Sequence, residues 1–493
     1  MFIHKNNNKT RKKGGAVIGS GGFGCILRPA LKCKGSKERS TTRRITKLSK
    51  KKYAVKEYGE ITKYKPLLEK IPNYTHYFLI EGFELCQPKP LQSEDLKEFN
   101  EECSALQKMD INESNVNKSL DKLMAINMPY GGIEVGQYIE KYSERGSEDK
   151  LVQLNNRLIE LLEKGVVPMN AKNIYHCDLK ASNILVDESR RREDFYTRII
   201  DWGLSAKYTE GHPIPDTLLN RPFQYNVPFS NILFTDLFDD MYKKFLKNKA
   251  EDEINYHTLR IFVMNYVIAW VEKRGPGHLK TINSIFKKLF DKDITTKESA
   301  ASSSEKSDII KYQFTFHFIF EYLTQILLTY TDKGTKKFKK MEYFNEVFIK
   351  NIDIWGFCTI YIPLLEYLHS NYKTLSPLQE KVVLKIKELM LVLLDNSDKP
   401  IKLMLIQYVL HSMNEALPYI NNVNSRKYKK RLNEQTNEQK EDFSAGSIHN
   451  KDKDKDKDSD NSHTKKTKKR KFHKMIVRTL KNIKSLHSRN EWM

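Results

Sequence analysis

Cysteine is scarce in this sequence: six residues in 493, at positions 25, 33, 86, 103, 177 and 358. No two are spaced as C-x-x-C, which excludes the common zinc-finger and thioredoxin-like signatures. So low a density in so long a chain is the usage expected of a reducing compartment. An apolar leader is missing too. The opening residues, MFIHKNNNKTRKK, are polar and basic and carry no hydrophobic segment of the kind a secretory signal needs. The most apolar long stretch, YQFTFHFIFEYLTQILLTY (312–330), contains His317, Glu321 and Gln325, and is expected to be a buried helix rather than a membrane span. These absences predict a soluble, intracellular protein without a transmembrane segment. Acidic charge is also in deficit: 62 Asp and Glu stand against 85 Lys and Arg, a formal net charge of +23. That excess suits nucleic acid, an acidic membrane surface or a phosphate-bearing ligand, and does not choose among them.

What is present is enough apolar residue, 39%, to build real cores. The length allows two or three domains, or one two-lobed enzyme with insertions. Residues 1–13 are expected to be a disordered basic arm. From 14 to about 110 the patterns are those of strands, GAVIGSGGFGCIL, RITKL and HYFLI, interrupted by a helical pattern near 50–71. LMAINMPYGG (123–132) is a short strand stopped by two glycines. A helix over 152–167 follows, apolar at Leu154, Leu158, Leu161 and Leu162, and then a strand pair around NILVD and RIIDW. From about 235 to 422 the chain reads as helices, at 257–273, 312–330, 351–368, 376–395 and 401–417. Strand-rich first and helix-rich second, it is expected to be an α+β protein of two lobes, 14–132 and 133–422. The tail, 423–493, is basic and of low complexity. Within it, Phe472, Ile476, Leu480, Ile483 and Leu486 fall on one face of a basic amphipathic helix. KKTKKRK (465–471) reads as a nuclear signal, a nucleic-acid or membrane-surface patch, or a solvated tail.

Three short motifs carry chemistry. The first is IGSGGFGCI, residues Ile18, Gly19, Ser20, Gly21, Gly22, Phe23, Gly24, Cys25 and Ile26. Gly19, Gly21 and Gly24 make G-x-G-x-x-G, in which bare backbone N–H groups can approach phosphates. A dinucleotide-binding turn needs a helix straight after the last glycine. Here Cys25-Ile26-Leu27 continues as a strand, so a hairpin over phosphates fits better. The second is HCDLKASN: Asp178 suits the carboxylate that receives a hydroxyl proton, Lys180 the group that holds a transferring phosphate, and Asn183 a metal ligand. The third is IIDWGLS, an apolar strand ending in Asp201, placed to hold Mg²⁺ against nucleotide phosphates. Each alone passes for an ordinary turn. In this order, with a strand pair between the last two, they do not.

The set resembles the signature of eukaryotic-type protein kinases. More narrowly, GCILRPALKCKG, YFLIEGFELCQP and RPFQYNVPFSNILF resemble the serine/threonine kinases of large cytoplasmic DNA viruses, the iridovirus and poxvirus virion kinases. The resemblance spans roughly 15–415. It implies a two-lobed kinase-like fold, with a small β-rich lobe and a large helical lobe. It also implies Mg·ATP as cofactor, Ser/Thr proteins as substrates, and the host cytoplasm or virion as location. A pseudokinase scaffold and a small-molecule kinase are the alternatives. The first is expected to have lost one of these groups, and the second usually lacks the lysine at position 180.

A kinase also needs a strand lysine for the α- and β-phosphates, paired to a helix glutamate. YAVK offers Lys56 and RITK offers Lys47. Spacing favours Lys47. If Lys56 ended the strand, too few residues would remain before HYFLI for a loop and a whole helix, with Pro66 in the middle. With Lys47, residues 50–65 form one helix, Ala54, Tyr58, Ile61 and Lys65 share a face, and Pro66 opens a further turn. Glu57 or Glu60 is then the ion-pair partner, and Glu60 joins the expected nucleotide site. NMPYGG (127–132) is expected to be the hinge that meets adenine.

Two departures from the family pattern stand out. Cys177 replaces the Arg that often precedes the catalytic Asp, which implies activity without activation-loop phosphorylation. RPFQYNVPFSNILF (221–234) stands where A-P-E usually ends the activation segment. NIDIWGFC (351–358) resembles the helix that follows that segment, with Asp353 bracing the catalytic loop. Its position implies a helical insertion at about 235–345, for which the sequence offers no function.

Overall fold

A computed structural model describes residues 16–20, 24–35, 43–145, 148–188, 195–294 and 304–420. The expected basic arm, the glycine-loop tip Gly21-Gly22-Phe23, and the tail with its amphipathic and KKTKKRK stretches lie outside the described residues. The chain divides into two compact units. The first runs to Ile133 and takes in Leu185–Ser205; the second comprises Glu134–Ile184 and the chain from Ala206 on. The fold is mixed, with a small sheet in the first unit and mostly helices in the second.

The first unit is built on five antiparallel strands: β1 (Ala16–Ser20), β2 (Gly24–Arg28), β3 (Arg44–Lys50), β4 (Glu84–Cys86) and β5 (Leu123–Pro129), in the order β1-β2-β3-β5-β4. Successive side chains of a strand point to opposite faces. In β3, Ile45 packs with Ala54, Ile126 and Met128 on one side, while Leu48 packs with Cys25, Leu27, Phe99 and Leu106 on the other. Helix α1 (Lys51–Leu68) follows β3 without a loop and covers the first face through Ala54. The segment 91–120 covers the second. Two sequence expectations change here. Pro66 lies inside α1, which runs on to a fully buried Leu68; the proline leaves one helical hydrogen bond unmade in the last turn without ending the helix. HYFLI is not a strand of the sheet. Tyr74–Tyr77 is a helical turn, Phe78 makes an isolated bridge to Ile199, and the edge strand is β4. Tyr77, Phe78, Leu79 and Ile80 are all buried, and periodicity cannot assign a short run that is apolar throughout.

Four of the six cysteines form two disulfides in this unit, Cys25–Cys103 and Cys33–Cys86, with Cα–Cα distances of 5.4 and 5.7 Å. Their sequence separations of 78 and 53 leave no local signature, so the low count alone gave no sign of them. Cys177 and Cys358 are free and buried. Denatured, unreduced protein should therefore titrate for two thiols, rising to six after reduction. Closing a loop of that size restricts the unfolded chain by about 4 kcal/mol in the chain-entropy picture. A Cys25→Ser/Cys103→Ser double variant should lower the unfolding free energy of the first unit by about that amount, and reductant, which opens both bridges, should lower it further. An unchanged midpoint and six thiols without reductant would remove both bridges.

The second unit is built from helices that include Tyr256–Arg274, Leu279–Ile294, Ser304–Tyr330, Ile349–Cys358, Ile362–Asn371, Pro377–Asp395 and Leu403–Met413. Their starts are encoded locally. Asn255 and Thr258 form a capping box, as do Ser376 and Gln379, the latter just before Pro377. Ile349–Cys358 is the axis of the core, with every residue except Lys350 buried. A helix apolar all round has to be enclosed. Phe229 and Tyr322 pack their rings on Trp355, at 5.2 and 5.6 Å. Among the described residues one helical run, Lys340–Asn371, is long and apolar enough to cross a membrane, and 89% of its most apolar window is buried inside the protein.

Candidate active site

In the first unit the cross-strand register sets Ile26, Lys47 and Ile126 side by side on β2, β3 and β5. Three aligned residues share one face, and it is the face that α1 covers. Lys47 Nζ lies 2.7–2.8 Å from the Glu57 carboxylate and 3.4 Å from Asp201 Oδ1. Burial alone would lower the pKa of this lysine, but the Asp201 and Glu57 carboxylates outweigh it and hold the ammonium above its ordinary range. Asp201 sits just past the strand Phe195–Ile199 at φ 65°, a left-handed conformation that Asp tolerates. The next residue anchors it: Trp202 is fully buried against Tyr64 and Phe78, with ring centroids 6.2 and 5.9 Å away.

The other sequence candidates in this unit are placed differently. Lys56 is exposed on α1, not on a strand, and therefore is not the strand lysine. Glu60 reaches Lys63 at 3.4 Å, and Glu57 takes the place expected for it. The reason is helical phase: 57 lies on the stripe of Ala54, Ile61, Tyr64 and Leu68, and 60 is off it. Ser20 Oγ accepts from Ala105 N at 2.9 Å, and the Cys25 side chain is committed to Cys103, so both side chains face the 91–120 layer. The backbone of this hairpin is what remains for phosphates. Gly24 is required there by close approach, since a Cβ would meet Leu48 O at 2.6 Å. Ile18 is 49% exposed.

In the second unit four groups converge on Asp178, which is only 5% exposed. Lys180 Nζ lies 2.7 Å from Oδ2, Asn183 Nδ2 donates to Oδ2 at 3.1 Å and to Asp178 O at 2.8 Å, and Asn226 Nδ2 donates to Oδ1 at 2.8 Å. The Arg221 guanidinium stands 4.0 Å from Oδ1. Asp353, on the core helix, accepts from His176 N and Cys177 N, both at 2.8 Å. Gly356, one turn on, lets that helix reach the loop: a Cβ would meet Leu179 O at 2.7 Å. Burial pushes the Cys177 thiol well above its ordinary range, so it stays neutral. Burial and the Asp178 charge push the Tyr225 hydroxyl up to about 12. Asp353→Ala leaves two buried N–H groups without an acceptor and should cost roughly 2–5 kcal/mol of stability. Urea denaturation checks this, and a midpoint equal to wild type would contradict it.

Sequence reading missed Arg221 and Asn226 as parts of this cluster. Both lie in RPFQYN, but their contacts span 44 to 48 positions along the chain, and no local spacing signals them. The two expected metal donors, Asn183 and Asp201, belong to different units. Asn183 spends its amide nitrogen on Asp178, which leaves its carbonyl oxygen for a cation, and the Asp201 side chain is 42% exposed. Among the described residues no group of three or more His, Cys, Asp or Glu is set to hold a metal ion. Mg²⁺ does not need one, since it takes one or two protein ligands and completes its shell with phosphates and water. Each of these two oxygen donors, taken by itself, is of the type that Mg²⁺ accepts.

No protein-family model matches this chain, and no curated protein does. Among solved structures, the kinase PK-1 of the Cydia pomonella granulovirus is similar at 15% identity and a TM-score of 0.24. The match covers 46% of this chain and 66% of that kinase, just under two thirds of its length.

Proposed function

We propose that the protein is a Mg·ATP-dependent serine/threonine protein kinase. The observation that carries this reading is the cluster of Lys47 with Glu57 and Asp201. A strand, the helix that follows it and a segment 154 residues on bring one largely enclosed lysine to two carboxylates, the arrangement that anchors nucleotide phosphates in this chemistry. Bound Mg·ATP supplies the transferable γ-phosphoryl group. Asn183 and Asp201 are the side chains that would hold the metal. Lys47 orients the α- and β-phosphates, and Glu57 orients Lys47. Asp178 takes the proton of the acceptor hydroxyl, with its carboxylate aimed by Asn226 and Asn183. Lys180 neutralises charge on the group in transfer. Lys180 two residues past the Asp favours Ser/Thr over Tyr acceptors. The acceptor proteins, the role of the basic tail on acidic surfaces, and a location in host cytoplasm or virion belong to the same proposal.

The test is incubation of the full chain with γ-labelled ATP, Mg²⁺ and generic protein acceptors, followed by phosphoamino-acid analysis. Phosphoserine and phosphothreonine are expected. ATP binding without transfer would favour a pseudokinase instead. Transfer confined to small-molecule acceptors would overturn the protein-kinase reading.

A further inference from the structure

Position 177 holds a neutral, buried thiol where protein kinases often carry an arginine, yet a guanidinium reaches the backbone carbonyl of this residue. It comes from Arg221, 44 residues on. Its side chain is 8% exposed. Nη1 donates to Cys177 O at 2.9 Å and Nε to Gln224 Oε1 at 2.7 Å. Nη2 stands 4.0 Å from Asp178 Oδ1 and is buried without a hydrogen-bond acceptor. A buried cation whose Nη2 has no acceptor is costly to keep. That Nη2 faces the carboxylate on which Lys180, Asn183 and Asn226 already converge.

The backbone around Arg221 is held from two sides. Trp355 Nε1 donates to Tyr225 O at 2.9 Å, from the core helix. From the helical insertion, Arg274 Nε donates to Asn220 O at 3.1 Å and His278 N to Phe223 O at 2.8 Å. Gly277 makes this second contact feasible: its φ is +52°, and a Cβ would meet Phe223 O at 2.3 Å. The loop 274–278, inside an insertion that the sequence leaves without a role, thus clamps the peptide segment that carries Arg221.

We infer that Arg221 is a positioning residue that fixes the Asp178 loop in its working geometry from within the fold, so that no phosphate on the activation segment is needed. The inference rests on the protein-kinase reading and adds the regulation of that site. A kinase whose loop arginine waits for a phosphate is switched by phosphorylation. Here the guanidinium is already spent on Cys177 O and Gln224, and the insertion loop keeps it there.

The test uses the full chain, with rates expressed per ATP-binding site so that misfolded protein does not count. Arg221→Met should lower kcat about 10- to 100-fold and leave KM for ATP unchanged. Arg221→Lys should recover a large part of the rate, and Gly277→Ala should lower kcat in the same pattern. Exhaustive phosphatase treatment of wild type should change nothing. If Arg221→Met does not fold, Arg221→Lys and Gly277→Ala decide, and two wild-type rates overturn the inference. So does a wild-type rate in Arg221→Met, an Arg221→Lys no better than Arg221→Met, or loss of wild-type activity on dephosphorylation. Wild type that transfers no phosphoryl group at all removes the kinase reading itself and this inference with it.

Discussion

Lys47→Met should reduce ATP-dependent phosphoryl transfer by roughly 10²- to 10³-fold, the scale of losing one preorganised electrostatic partner. Lys56→Met should leave the rate within about twofold, as surface substitutions usually do. Methionine keeps the length and apolar stem of lysine, so packing against Ile26 and Ile126 survives and the charge alone is removed. The cost is then specific. Glu57 and Asp201 lose the cation between them, and two carboxylates without it repel the nucleotide phosphates they should help to place. Lys56 lies exposed on α1 and makes no contact with that cluster. Steady-state rates and ATP affinities of the two variants, measured side by side, separate the assignments. A dead Lys56→Met beside an active Lys47→Met would reverse them.

Asp178→Ala should lower kcat by about 10²- to 10⁴-fold, the range for removing a positioned general base. ATP binding should be nearly unaffected, because the proposed function assigns the anchoring of the nucleotide to Lys47 and its partners. Removal of this carboxylate also frees Lys180, Asn183 and Asn226 from the acceptor on which they converge, so the loss should exceed that of any one of those neighbours. Asn226→Ala is the useful comparison, since it removes one aiming hydrogen bond and should cost about 10-fold or less. An Asp178→Ala protein with wild-type turnover would exclude the proposed chemistry, whatever its nucleotide affinity.

Much of the fold was legible because its signals are local. The β3 alternation, the helix stripe at 54, 61, 64 and 68, the Asn255 and Ser376 caps and the apolar helix at 351–358 each depend on residues within one or two turns. The strand lysine was legible by counting, since only Lys47 leaves room for a helix. Errors arose where local information is degenerate. HYFLI is apolar on every side and carries no period, and Glu57 and Glu60 differ only by helical phase against a core not visible in a short window.

The sequence by itself determined which chemical groups this protein owns, in what order, and on which kinds of element they lie. The order Asp178, Lys180, Asn183 and then Asp201 is a property of the chain alone. Only the tertiary structure decided which groups meet. Glu57 rather than Glu60 faces Lys47, Cys25 and Cys33 find partners 78 and 53 residues away, and Arg221 reaches the carbonyl of Cys177 from 44 residues on. The physical reason is the same in each case. Hydrogen bonds and ion pairs act over about 3 Å, and distance along the chain says nothing about distance in space once helices and strands have packed.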